Sequence, residues 1–214
     1  MPILIVPFLN REINDSSLSA LSGIMDNLQK ITLEHTPWKT HSYKPLVHVA
    51  VGYAESEIYL KFYVSEQMSR AVNKNSNTLV YEDSCVEFFV MFGNTGYYNL
   101  EFNCIGTALV GFGKHKYDRV LLPVSEIEKI KYVVNKEQLS FTGTSYWELT
   151  VVIPASLFCY HSIKNFHGLR ASGNFYKCGD RMEIPHYVSW SDIISETPNF
   201  HLPEYFGDIL FGQN

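Results

Sequence analysis

Residues 81 to 107 read YEDSCVEFFVMFGNTGYYNLEFNCIGT, and the side chains there that could do chemistry fall at alternate positions. Glu87, Asn99, Glu101 and Asn103 interleave with Val86, Phe88, Val90, Leu100 and Phe102. Such alternation sends one set to each face of a strand. Carboxylates accept pairs of hydroxyl protons and carboxamides both donate and accept, so the polar set suits a neutral, hydroxyl-rich ligand. A solvated sheet face is the other reading. Against it, the face also holds Phe89 and Met91, and its polar members are Glu and Asn, which strands disfavour. Two carboxyls on one face also raise glycoside cleavage, whose retaining form uses a pair about 5 Å apart.

The elements that must position these groups follow from parity. The apolar rows of the two strands meet only if paired positions sum to an even number, which demands a connection of odd length. A five-residue loop from Gly93 to Tyr97 predicts Phe92 opposite Tyr98, Phe88 opposite Phe102 and Glu87 opposite Asn103. Glu87 and Glu101 are then diagonal neighbours. Nothing in the sequence supplies a desolvating pocket, so both glutamates are expected to stay ionised on an open face, and no catalytic activity is expected.

Most of the chain alternates in the same way. PLVHVAVGY and EIYLKFYV read as a hairpin, with Val47, Val49 and Val51 meeting Ile58, Leu60, Phe62 and Val64. SYWELTVVIP carries Trp147, Leu149, Val151 and Ile153 on one face and ends at Pro154, where a short helix begins. LRASGNFYKCG, PHYVSWSD and FGDILF read as three further strands, and MPILIVPFLN as an opening one. DSSLSALSGIMDNLQKI is helical in period, with Asp15, Ser16 or Ser17 as cap and Leu18, Leu21, Met25 and Leu28 on one side. Many strands, few helices and no βαβ alternation predict an all-β, antiparallel β-sandwich with a short N-terminal helix, in one domain spanning 1–214.

Composition narrows the partners. A formal charge of −5 excludes clustered phosphate or anionic lipid as the main partner. No stretch is apolar enough for a membrane span and no secretory signal pattern opens the chain, which predicts a cytoplasmic protein, with a periplasmic or secreted one as the alternative. Cys85, Cys104, Cys159 and Cys178 are far apart in sequence and read as free thiols, and no Cys or His spacing suggests zinc. Trp147 and Trp190 read as core. Trp38, in a loop-like stretch beside Pro37, reads either as the rim of a site or as tucked onto the core.

VYEDSCVEFFV, YYNLEFNCIGT, GNFYKCGD, VSWSD and FHLPEYFGDILF, in that order, resemble the family 9 carbohydrate-binding modules and the family-9-like domains related to them. The resemblance runs from about Pro45 to Phe211. It implies a non-catalytic β-sandwich that holds a saccharide, often by its reducing end, between two aromatic side chains. The matching positions are Tyr81 and Phe200 for the aromatics, Glu87 for the strand glutamate and Asn103 for the asparagine of the second strand. The aromatic positions are tryptophan, and Glu101 is arginine, in the sugar-binding member compared. Weaker or altered sugar binding is therefore expected, because less ring area stacks and a donor fork becomes an acceptor. Asn174, whose parity matches no apolar row, is a further candidate contact. The family's sites include calcium in some members, for which no dense Asp cluster is visible here. A protein-interaction sandwich with Tyr81 and Phe200 as anchors, and a glycoside hydrolase using Glu87 and Glu101, are the alternatives.

Overall fold

The computed structural model describes residues 1–9, 17–137 and 144–212. Two β-sheets face each other. The larger is built from β1 (Ile3–Val6), β5 (Cys85–Met91), β6 (Tyr97–Asn103), β7 (Ala108–Gly113), β8 (Val120–Leu121), β11 (Arg170–Cys178), β12 (Tyr187–Ser189) and β13 (Gly207–Phe211). Its spatial order is β1-β13-β11-β5-β6-β7-β8, and β12 pairs with the C-terminal part of β11 beyond the reach of β13. The smaller sheet has β2 (Lys30–Thr32), β3 (Leu46–Ala54), β4 (Glu57–Glu66), β9 (Lys131–Glu137) and β10 (Ser145–Pro154), in the order β2-β3-β4-β10-β9. All pairs are antiparallel except β1 with β13.

The alternation seen in the sequence becomes the core. Val47, Val49 and Val51 from β3, Ile58, Leu60, Phe62 and Val64 from β4, and Trp147, Leu149, Val151 and Ile153 from β10 meet Val86, Phe88, Val90, Leu100, Phe102 and Phe175 of the larger sheet. Trp190 joins this cluster as well. The helix α1 (Leu18–Met25) is capped by Ser17, whose side chain accepts from the Ala20 amide. The other two candidate caps, Asp15 and Ser16, lie outside the described residues. The helix is shorter than its periodicity suggested, because residues 30–32 leave it to pair with β3. It lies on the outer face of the smaller sheet, where Leu21 and Met25 pack on Tyr59, Tyr63 and Val152. Below it, the buried Lys61 ammonium pairs with Asp26 at 2.6 Å and Glu148 at 2.9 Å.

The β5–β6 hairpin corrects the expected register. Glu87 lies opposite Glu101, Phe88 opposite Leu100 and Cys85 opposite Asn103, so the pairing is displaced by two residues with parity kept. The connection is still five residues long but runs from Phe92 to Gly96. Burial of Tyr97 explains the choice. In the expected register that ring would sit in the turn, whereas here it enters the strand and packs against Phe89 and Phe206. Phe92 in turn leaves the ladder for Phe158. Gly93 and Gly96 take the positive φ values, 74° and 145°, that such a tight reversal needs.

The four cysteines are free thiols, three of them buried. Among the described residues no helix is long and apolar enough to cross a membrane.

Candidate functional site

On the outer face of the larger sheet, the polar row of the hairpin floors a cavity of about 470 Å³, within the size range of small-molecule sites. Glu87 and Glu101, side by side on neighbouring strands, form its floor with Asn99 and Cys178. The walls come from chain that crosses the sheet: Tyr81 from the 3-10 turn Val80–Glu82, Lys116, Tyr117 and Arg119 between β7 and β8 with Leu121 of β8, and Pro198 to His201 between β12 and β13. The face is therefore roofed rather than open. Glu87 and Glu101 are only 3% and 4% exposed, which overturns the expectation of two water-exposed carboxylates.

Burial sets the electrostatics. It holds Glu87 well above the ordinary carboxylate range, with the neighbouring Cys178 and Glu101 adding to the shift. Burial also pushes Glu101 up to about 7, against the opposing pull of the Asn99 amide and the Arg119 charge. Asp180, on the same cavity, is raised for the same first reason. Cys178 donates its thiol proton to Glu87 Oε1 at 3.0 Å. Asn99 Nδ2 donates to Glu101 Oε1 at 2.9 Å, while Glu101 Oε2 finds no hydrogen-bond partner among the described residues. A buried acceptor without a donor is costly unless something else completes it.

Arg119 is one of several lining residues that the sequence reading missed, with Cys178, Asp180 and Tyr187. Its Nε donates to Asn99 Oδ1 at 2.7 Å and its Nη2 to the Tyr97 carbonyl at 2.8 Å, and the guanidinium lies 4.2 Å from the centroid of the Tyr97 ring. Asn99 is thereby gripped from one side and presents its amide to Glu101 on the other. Gly111, on the neighbouring strand, leaves room for this, since a Cβ there would come within 2.8 Å of Asn99 Oδ1. The one available signal was the basic run GKHKYDR ahead of β8. An arginine far in sequence from the hairpin thus brings a cation back beside Glu101.

Four of the expected contacts, Tyr81, Glu87, Glu101 and Phe200, line the cavity. Phe200 is less free than expected. One face of its ring lies flat on Tyr176, centroids 4.1 Å apart and planes 7° from parallel, and it is 8% exposed. Trp38 supports it from behind and donates to the Ser195 carbonyl, so this tryptophan is packed and does not line the cavity.

Asn103 and Asn174 are not among the residues that line the cavity. Asn103 Nδ2 donates to the Asn73 carbonyl and to Asp83, and its Oδ1 accepts from the Thr107 amide. Asn174 is committed to the Ser191 backbone, donating to its carbonyl at 3.1 Å and accepting from its amide at 2.9 Å. Both amides fasten loops to strands.

Neither Asp83 nor the buried Cys85, Glu87 and Cys178 group suits calcium. Asp83, the carboxylate that opens the D-S-x-V-E block, is filled by N–H donors of Val72, Asn73 and Asn103. The group of possible ligands found among the described residues is Cys85, Glu87 and Cys178, with ligand atoms within 4.8 Å of one another. Two soft thiols do not suit an ion that takes six to eight hard oxygens.

The sequence profile of carbohydrate-binding family 9 matches residues 19–211. The chain belongs to that family. The match begins within α1, earlier than the Pro45 at which the residue resemblance starts. Among solved structures, a candidate carbohydrate-binding protein from Bacteroides uniformis ATCC 8492 is 35% identical, with a TM-score of 0.90 over 98% of both chains. A family 9 module from Caldicellulosiruptor kristjanssonii in complex with glucose shares the fold at a TM-score of 0.61 and 12% identity, over 100% of this chain and 97% of that one. The same module with cellotriose aligns at the same score and identity, over 100% and 95%. No curated protein matches the chain. Family 9 membership makes carbohydrate binding the chain's general activity.

Proposed function

We propose that the cavity binds one terminal sugar unit without cleaving it. The observation that carries this reading is the buried, unpartnered Glu101 Oε2 on the cavity floor, beside Glu87 and braced through Asn99 by Arg119. A pyranose brings a ring of hydroxyl donors that can complete such an acceptor, and Tyr81 and Phe200 supply apolar surface for its C–H faces. Glucose or a short glucan in the relatives' complexes supports that ligand class.

Absence of turnover follows from how the carboxyls are placed. A glycosidase sets one carboxyl on each side of the scissile bond. Here both rise from adjacent strands of one floor, so they face the same side of any sugar above them. The raised pKa of Glu101 does match what a general acid needs, which makes hydrolysis the second reading. Titration calorimetry with glucose, cellobiose and cellotriose tests the first, with binding expected and lost in Glu101→Ala. Product release from aryl glycosides that vanishes in Glu87→Gln would put the second in its place.

A further inference from the structure

We propose that the preferred ligand of this cavity is an amino sugar, whose protonated amine lodges against Glu101 and Glu87. This deepens the sugar-binding reading and rests on it.

The floor holds an excess of acceptors. Three carboxyl groups, Glu87, Glu101 and Asp180, border the cavity, and among the described residues no Lys or Arg lies within ion-pair distance of any of them. Of the two cations that line the cavity, Lys116 is exposed, and the half-buried Arg119 has its N–H groups turned elsewhere, to Asn99 Oδ1 and to the carbonyls of Tyr97, Gly111 and Gly113. It steadies the floor without satisfying Glu101 Oε2, which stays buried and unpartnered. The floor therefore asks for donors.

A hydroxyl supplies one proton and no charge. An ammonium supplies three protons and the compensating charge, so it can bridge Glu101 and Glu87, which are direct cross-strand neighbours with Cβ atoms about 5 Å apart. Charge-assisted contacts of this kind are about twice as strong as neutral ones. Burial, which makes an unpaired carboxylate costly here, strengthens the paired one. The aromatic walls remain available to the sugar ring, so both halves of the ligand are read.

The test is a calorimetric comparison on the wild-type protein at pH 7 of glucose, glucosamine, N-acetylglucosamine and ethylamine. Glucosamine is expected to bind about tenfold or more tighter than glucose, N-acetylglucosamine no tighter than glucose, and ethylamine far more weakly than glucosamine. Glu101→Gln, checked for folding by circular dichroism, should weaken glucosamine binding by a larger factor than glucose binding. Measurable glucose binding with glucosamine equal or weaker would overturn this inference and leave the sugar site standing. Ethylamine matching glucosamine would also overturn it, because the ring would then go unread. Failure of every sugar would remove this inference and the sugar-binding reading together.

Discussion

Lys177 and Cys178 are consecutive on β11, yet they belong to two buried polar clusters of opposite character. Lys177 points between the sheets, where its ammonium meets Glu66 at 3.0 Å, His186 Nε2 at 2.7 Å and the Cys178 carbonyl at 2.9 Å. Glu66 also accepts from Trp147 at 2.7 Å, and the Ile184 carbonyl takes up the other ring nitrogen of His186. Each charged member has an opposite within reach; Glu66 Oε2 lacks a hydrogen bond too, but the Lys177 cation stands 3.0 Å from it, whereas no cation stands that close to Glu101 among the described residues. Cys178 points outward, to a cluster in which Glu101 keeps an acceptor with no donor. A buried polar group is tolerated when it is partnered. The closed cluster thus reads as a tie between sheets and the open one as a place kept for a ligand.

The strongest way to break this comparison is to open the closed cluster. Lys177→Met leaves the Glu66 carboxylate buried without its cation and should cost about 3 to 5 kcal/mol. Urea unfolding measures it, and Glu66→Gln added to the same chain should recover much of the loss. A cost under about 1 kcal/mol would mean that the two clusters do not differ in the way described.

The open cluster shows itself through pH. Glu101 has a folded pKa of about 7 against an ordinary value of 4.5, so the folded state holds this proton more tightly. Its contribution to stability is intact below 4.5 and is lost as pH rises to about 7. Glu101→Gln removes that loss, so the variant should gain on wild type across this window by on the order of 3 kcal/mol. His186, buried and lowered to about 4, and His201, half-buried and lowered to about 3, work against it: desolvation keeps both neutral, and their stability is lost as pH falls below 6.5. The wild-type profile therefore blends both slopes. Chemical denaturation of both proteins at pH 4.5 and pH 7.5 separates them; a difference that does not grow with pH would contradict a raised Glu101.

Arg119→Ala tests whether the open floor is braced from outside the hairpin. Asn99 loses its 2.7 Å donor and can swing away from Glu101. Sugar affinity should fall by about tenfold or more, and Arg119→Lys should not restore it, because an ammonium lacks the fork that reaches Asn99 and Tyr97 together. Full rescue by lysine would reduce Arg119 to a point charge.

What could be read in the sequence divides along the same line. Strand alternation exposed both sheets, the core tryptophans and the polar face, because period 2 is a local property of the chain. Parity fixed which residues share a face and left the register ambiguous by two, a choice settled by where Tyr97 finds cover. The roof was hidden, since Arg119 and Asp180 reach the cavity from loop segments with no periodic signal, and Tyr187 from a strand whose neighbours its alternation does not reveal. Without the roof, Glu87 and Glu101 could only be read as exposed. That Asn103 and Asn174 lie off the cavity was hidden for a related reason: an amide's partner is not visible in its position, and both hold backbone.

The smallest expected effect is on affinity at those two amides. Asn103→Ala removes the donor to the Asn73 carbonyl and the acceptor for the Thr107 amide, all on the loop side of the strand end. Stability should drop by about 1 to 3 kcal/mol, since buried partners are left unpaired. Sugar affinity should stay within about twofold in the folded fraction, because the side chain lies off the cavity and a change that small is under ~0.5 kcal/mol. Tyr81→Ala is the control in the other direction, with stacking surface removed from the wall and about 1 kcal/mol of binding lost. Calorimetry on both variants below their melting points decides it. If Asn103→Ala weakens binding as much as Tyr81→Ala, the loop at 73 to 83 couples into the cavity, and the boundary between the tied and open regions must be redrawn to include it.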